Sequence, residues 1–99
     1  MLNHVVLFKF KAYSSNEKQK KINELKTALL GLKEKISELK YIEVGTNYQL
    51  ESKSYDLCLI SHFETEADLD VYRVHPEHLK VLELVKEFTE LRAAVDYEF

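Results

Sequence analysis

Apolar and polar positions alternate from Asn3 to Lys11. His4, Val6, Phe8 and Phe10 share one face, and Val5, Leu7, Lys9 and Lys11 share the other. A period of two in β-branched and aromatic residues predicts a strand. Its first half is apolar on both faces, so it is expected to be covered on both sides there. Ser14, followed three residues later by Glu17, is a capping-box signature. Ile22, Leu25, Leu29, Leu32, Ile36 and Leu39 then recur at spacings of three and four. This predicts an amphipathic helix with Lys and Glu on its outer face, which Gly31 can break or bend. Tyr41 to Gln49 reads as a second strand, and "LESKS", Leu50 to Ser54, as a turn.

Tyr55 to Phe63 is apolar through its middle on both faces, the pattern of a central strand covered on both sides. A short helix follows from about Thr65. Pro76 cannot continue that helix but suits the first turn of another, with His75 as its N-cap. Leu79, Leu82, Val85, Phe88 and Leu91 form the apolar stripe expected of this last helix. The chain closes on a strand, with Ala93, Val95, Tyr97 and Phe99 on one face and Ala94, Asp96 and Glu98 on the other. The order β-α-β-β-α-β predicts an α+β, ferredoxin-like domain over residues 1–99, with antiparallel strands and both helices on one face. Helices cover only one side of such a sheet. The second apolar side then predicts a homodimer formed by sheet-to-sheet packing.

Composition narrows the function classes. The 99 residues suit one domain, and a net charge of -3 offers no basic stripe for nucleic acid. Cys58 is the one cysteine, so no internal disulfide forms, and its setting in "LCLI" reads as a buried small hydrophobe. No apolar stretch reaches the roughly 18 residues that span a membrane. "MLNHVVLFKFK" lacks a basic leader region and a cleavage site, so no signal peptide is expected and the cytoplasm is the expected compartment. Zinc sites favour tight spacings such as H-x-x-x-H on one helix face. His75 and His78 flank Pro76 instead, so neither a metal nor another cofactor is expected. Phosphate loops, Ser/His/Asp motifs and dinucleotide fingerprints are not found in the sequence.

Taken together, "HVVLFKFK", "YDLCLISHFETEADLDVYRVHPEH" and "VDYEF" resemble the stress-responsive A/B barrel (Dabb) family over nearly the whole chain. The resemblance implies a dimeric α+β barrel, two ferredoxin-like sheets closing on one another with helices outside. Members include heat-stable plant stress proteins and olivetolic acid cyclase, which folds a linear polyketide by aldol chemistry in a pocket between sheet and helices. By that resemblance Tyr72 and His78 stand where the cyclase has its working pair, and His4 and Asp96 match polar pocket residues. Val6 and Phe8, on the His4 face, and His75, beside the helix start, belong to the same surroundings. Thr27 and Leu57 depart from the cyclase, which has a tyrosine and a histidine there.

The implied chemistry is free of cofactors and of the lyase or cyclase type. A histidine removes a proton beside a carbonyl, a tyrosine hydroxyl steadies the oxyanion, and Asp96 orients an imidazole. The ligand expected is a small apolar carbonyl or phenolic compound, with His78 reachable from solvent at the pocket mouth. The alternative is a non-catalytic stress-response or structural dimer, which a closed core around His4 and Tyr72 would favour. His62 is expected at the surface or the interface.

Overall fold

The alternation at the N-terminus becomes strand β1, Leu2–Phe10, in a computed structural model that describes residues 1–50 and 53–99. Its even-numbered residues are buried and its odd-numbered ones half-buried. Helix α1, Ser15–Lys35, follows; the Ser14 hydroxyl accepts from the Glu17 backbone N–H at 3.3 Å and so satisfies a first-turn donor. The remaining elements are β2 (Tyr41–Thr46), β3 (Leu57–Phe63), α2 (Glu66–Val74), α3 (Pro76–Phe88) and β4 (Thr89–Glu98). The strands lie in the order β2-β3-β1-β4, every pair antiparallel. This is the ferredoxin-like α+β fold, with its second helical segment in two pieces.

Pro76 makes that division. The residue before a proline is held out of the helical region, and His75 is extended at φ -62°, ψ 134°. It ends α2 and caps α3 at once: its Nδ1 accepts from the Glu77 N–H at 3.1 Å. Thr65 caps α2 in the same way, accepting from the Asp68 N–H at 3.1 Å.

Several boundaries differ from the sequence-based expectation. α1 continues unbroken through Gly31 and ends at Lys35, yet Ile36 and Leu39 beyond it stay buried. β2 stops at Thr46. The expected turn "LESKS" includes Glu51 and Ser52, which lie outside the described residues. β3 starts at Leu57, because Asp56 turns inward. Its Oδ2 accepts from the Phe10 N–H at 2.8 Å, and its Oδ1 lies 3.9 Å from the Lys18 ammonium. α3 buries His78, Val81, Val85 and Phe88 rather than the expected Leu79 and Leu82, and Leu91 already belongs to β4.

Strand register sorts the side chains of β4. His4 pairs with Asp96, Val6 with Ala94 and Phe8 with Arg92, so these β4 residues share the helix side with the buried row of β1. Val5 pairs with Val95 and with Ile60, and Leu7 with Ala93 and Cys58, on the opposite face. No element of the chain covers that face among the described residues, and Val95 is left 56% exposed. Two hollows of about 300 and 230 Å³ indent it and meet at Leu7.

Candidate functional site

The last turn of α2 carries Tyr72 into the space between sheet and helices, where its ring is 0% exposed. Its ring centre lies 4.2 Å from that of His78, 4.9 Å from Phe63 and 6.3 Å from His4. The Tyr72 hydroxyl is buried and has no hydrogen-bond partner among the described residues. Burial pushes the phenol up to about 12, against the pull of Arg92, so at neutral pH it is a proton donor in need of an acceptor.

Both neighbouring imidazoles have their tautomers set by what they face. The Nδ1 of His4 lies 2.5 Å from Oδ1 of Asp96, and the Nδ1 of His78 lies 3.0 Å from the carbonyl oxygen of Arg73. Carboxylate and carbonyl oxygens accept, so each neutral ring keeps its proton on Nδ1 and its lone pair on Nε2. Asp96 is held in turn: Oδ2 accepts from the Arg73 guanidinium at 2.9 Å, and the same guanidinium reaches Asp70 at 3.1 Å. Arg73 thus positions both histidines, one through Asp96 and the other through its own carbonyl. Sequence reasoning missed this residue, because the pairing runs from a helix to an edge strand.

Burial lowers the pKa of both His4 and His78, outweighing the upward pull of Asp96 on the first and of the Arg73 carbonyl on the second. Two neutral imidazoles and one neutral phenol therefore meet at neutral pH. A stability dependence follows. Both folded pKa values lie below the unfolded value of 6.5, so below that pH the unfolded chain takes up protons that the folded one refuses. Stability from this source is complete above the unfolded value and declines as the pH falls through the folded ones. Unfolding free energies from urea titrations should drop between about pH 7.5 and pH 5, by at most about 1.4 kcal/mol per pH unit per histidine, and His78→Gln should flatten the decline. An unfolding free energy that rises on acidification would contradict the buried neutral pair.

The other expected site residues are placed differently. Val6 and Phe8 are packed in the core. His75 serves the α3 terminus with its ring nitrogen. His78 is 9% exposed, so it lies inside the α2–α3 junction under the Tyr72 ring rather than at an open rim. Thr27 is on the exposed side of α1, and Leu57 is in the core. His62 stacks between Tyr41 and Phe99, at ring distances of 4.6 and 4.7 Å. Cys58 is half-buried on the bare face, where burial and then Glu43 raise its thiol pKa. No three His, Cys, Asp or Glu side chains gather as a metal-binding set among the described residues, and no helix there is long and apolar enough to cross a membrane.

Residues 2–99 match the family described as the stress responsive A/B barrel domain. A search of curated proteins found no match. Among solved structures, the chain is similar to a dimeric protein of unknown function and ferredoxin-like fold from Bacteroides fragilis, at 37% identity and a TM-score of 0.91, covering 99% of this chain and 95% of that one. A dimeric ferredoxin-like protein of unknown function from Jannaschia sp. CCS1 matches at 25% identity and TM-score 0.80, over 99% and 98% of the two chains. The hydroxynitrile lyase of Passiflora edulis shares the fold at 20% identity and TM-score 0.81, over 97% and 90%.

Proposed function

We propose that this chain, which belongs to the stress responsive A/B barrel family, is a homodimer joined through its bare sheet face. Each subunit carries an acid–base site between sheet and helices for a small carbonyl or phenolic compound. The observation that carries the site is the Tyr72 hydroxyl, buried and unpartnered on a ring that packs near two imidazoles of fixed tautomer. Buried polar groups are nearly always paired, and a ligand oxygen is the partner this one lacks.

The chemistry follows from the protons. The free Nε2 lone pair of His78 takes a proton from carbon next to a bound carbonyl. The carbonyl π electrons move onto oxygen, and the Tyr72 O–H donates to the enolate that forms. His4, held by Asp96, offers a second neutral base near the phenol. The dimer is supported by the bare apolar face and by the dimeric B. fragilis protein at 37% identity. In this reading the protein works in the cytoplasm, where the lone thiol of Cys58 stays reduced.

One observation favours a purely structural dimer instead. The ring of Tyr72 is wholly enclosed, and the larger hollows indent the opposite sheet face. Deuterium exchange at the α-carbons of phenylacetone, followed by NMR, separates the two readings. An acid–base site accelerates the exchange, and His78→Gln should reduce that acceleration by about 100-fold, within the usual range for a positioned general base. No acceleration by the wild-type protein, or acceleration unchanged in His78→Gln, would support the structural dimer.

A further inference from the structure

α3 carries an apolar strip that the core does not use. Leu79 is 47% exposed and Leu82 half-buried, although both belong to the stripe that the sequence marks as core. The helix phase explains where they point. Glu77, Lys80, Val81 and Leu84 line a groove with Ala28, Leu32 and Lys35 of α1. With 3.6 residues per turn, Leu79 and Leu82 then occupy the flank turned away from α1. α1 packs on β2, whereas His78 of α3 packs on Tyr72 beside His4, the strand partner of Asp96 in β4. The free flank of α3 therefore overhangs the helix side of β4.

On that side of β4 stand Arg92, Ala94 and Asp96, at every second position. Arg92 and Ala94 are exposed, so the phase of α3 and the register of β4 place an open groove between them. Tyr72, His78 and His4 are buried on the same side of the sheet, and all three feel the charge of Arg92. Asp96 is already shared by His4 and Arg73. Arg92 has no carboxylate ion-pair partner among the described residues, its strand neighbour Glu90 included. Arg92 is thus an uncompensated cation on the floor, and the flank of α3 above it carries Leu79 and Leu82 with Lys86, which pairs with Glu83 at 3.7 Å.

We propose that this groove binds a small amphipathic monocarboxylate, with its carboxylate on the Arg92 guanidinium and its apolar body against Leu79, Leu82 and Ala94. The guanidinium fork matches a carboxylate in two parallel hydrogen bonds. The small side chain of Ala94 leaves room on the floor for the body of the ligand. The inference rests on the reading of Tyr72 and His78 as a ligand site, and it adds the charge and shape of what enters.

The test is an NMR titration of amide-labelled protein with sodium octanoate and with octanol, its uncharged counterpart. Octanoate should bind at least about tenfold tighter than octanol, the usual gain from a charged hydrogen bond. It should shift the amides of Leu82, Ala94 and His78. Arg92→Gln, at an exposed position, should keep the fold and bind the two probes alike, while Arg92→Lys should keep part of the preference. Equal binding of the two probes at His78 in the wild-type protein overturns the carboxylate inference and leaves the small-molecule site standing. A preference that survives in Arg92→Gln also overturns it. Probes that never shift His78, or that shift only the Val5, Leu7 and Val95 face, overturn both.

Discussion

Replacing Leu7 by lysine should turn the protein from a dimer into a monomer, or unfold it. Leu7 lies at the centre of the uncovered sheet face, where its two hollows meet, with Cys58 and Ala93 as its strand partners. Val5, Ile60 and Val95 extend the same surface. Soluble monomers seldom leave an apolar patch larger than a few hundred Å² bare. Each aliphatic side chain buried there contributes roughly 1.5–3 kcal/mol, and a stable pair of chains needs about 1,600 Å² in all. The carboxylate on the same face nearest in register is Glu43 of β2, beyond Cys58, and an ammonium group buried in the middle of that contact still costs several kcal/mol in lost hydration.

Leu7 is half-buried within one chain, so its replacement also strains the monomer. Val95→Lys avoids that difficulty, since Val95 is 56% exposed on the edge strand and a lysine there costs the isolated chain little. Sedimentation velocity at micromolar concentration should give a mass of twice 11.7 kDa for the wild-type protein. The same measurement should give a single chain for Val95→Lys and a dimer for His78→Gln, whose side chain is on the other side of the sheet. A wild-type monomer, or a Val95→Lys protein as dimeric as the wild type, would sink the sheet-to-sheet contact.

The elements legible from sequence are those whose burial imposes a period. β1 and β3 carry an inward row of large apolar residues, and a strand buried in this way cannot hide its alternation. α1 is announced by its Ser14 cap and α3 by Pro76, each a local chemical requirement that tertiary packing leaves alone. The phase of α3 was not legible. Leu79 and Leu82 are as apolar as Val81 and Val85, and the stripe shifts because histidine 78 fills a buried position that a polarity pattern assigns to the surface. The start of β4 was hidden for the opposite reason. "TELR" lies on an edge strand with little burial, so no alternation marks it, and Arg92 received no face. Asp96 was legible as the group that orients an imidazole through the family resemblance, and the strand register shows that the imidazole is that of His4. The role of Arg73 depends on the angle at which α2 crosses the edge strand, which no local pattern encodes.

Tyr72→Phe should make the protein more stable while removing its acid–base activity. Phenylalanine keeps the ring that packs on His78, Phe63 and His4 and deletes only the hydroxyl. A buried hydroxyl without a partner carries a desolvation penalty of about 1–3 kcal/mol. Removing it should therefore raise the unfolding free energy by about 1 kcal/mol, whereas most substitutions at a wholly buried position lower it. A residue kept for packing alone would not retain that oxygen at such a cost. A residue kept for a ligand does, because the missing bond forms when the ligand enters, and stability is commonly given up at such sites. Equilibrium urea unfolding of the wild-type protein and Tyr72→Phe, at one protein concentration and neutral pH, measures most directly whether Tyr72 is held for a ligand. The expected result is a higher free energy of unfolding for Tyr72→Phe, together with lost exchange of phenylacetone. A variant less stable than the wild type by about 1 kcal/mol or more, the usual value of a satisfied hydrogen bond, would contradict it and make Tyr72 a structural residue.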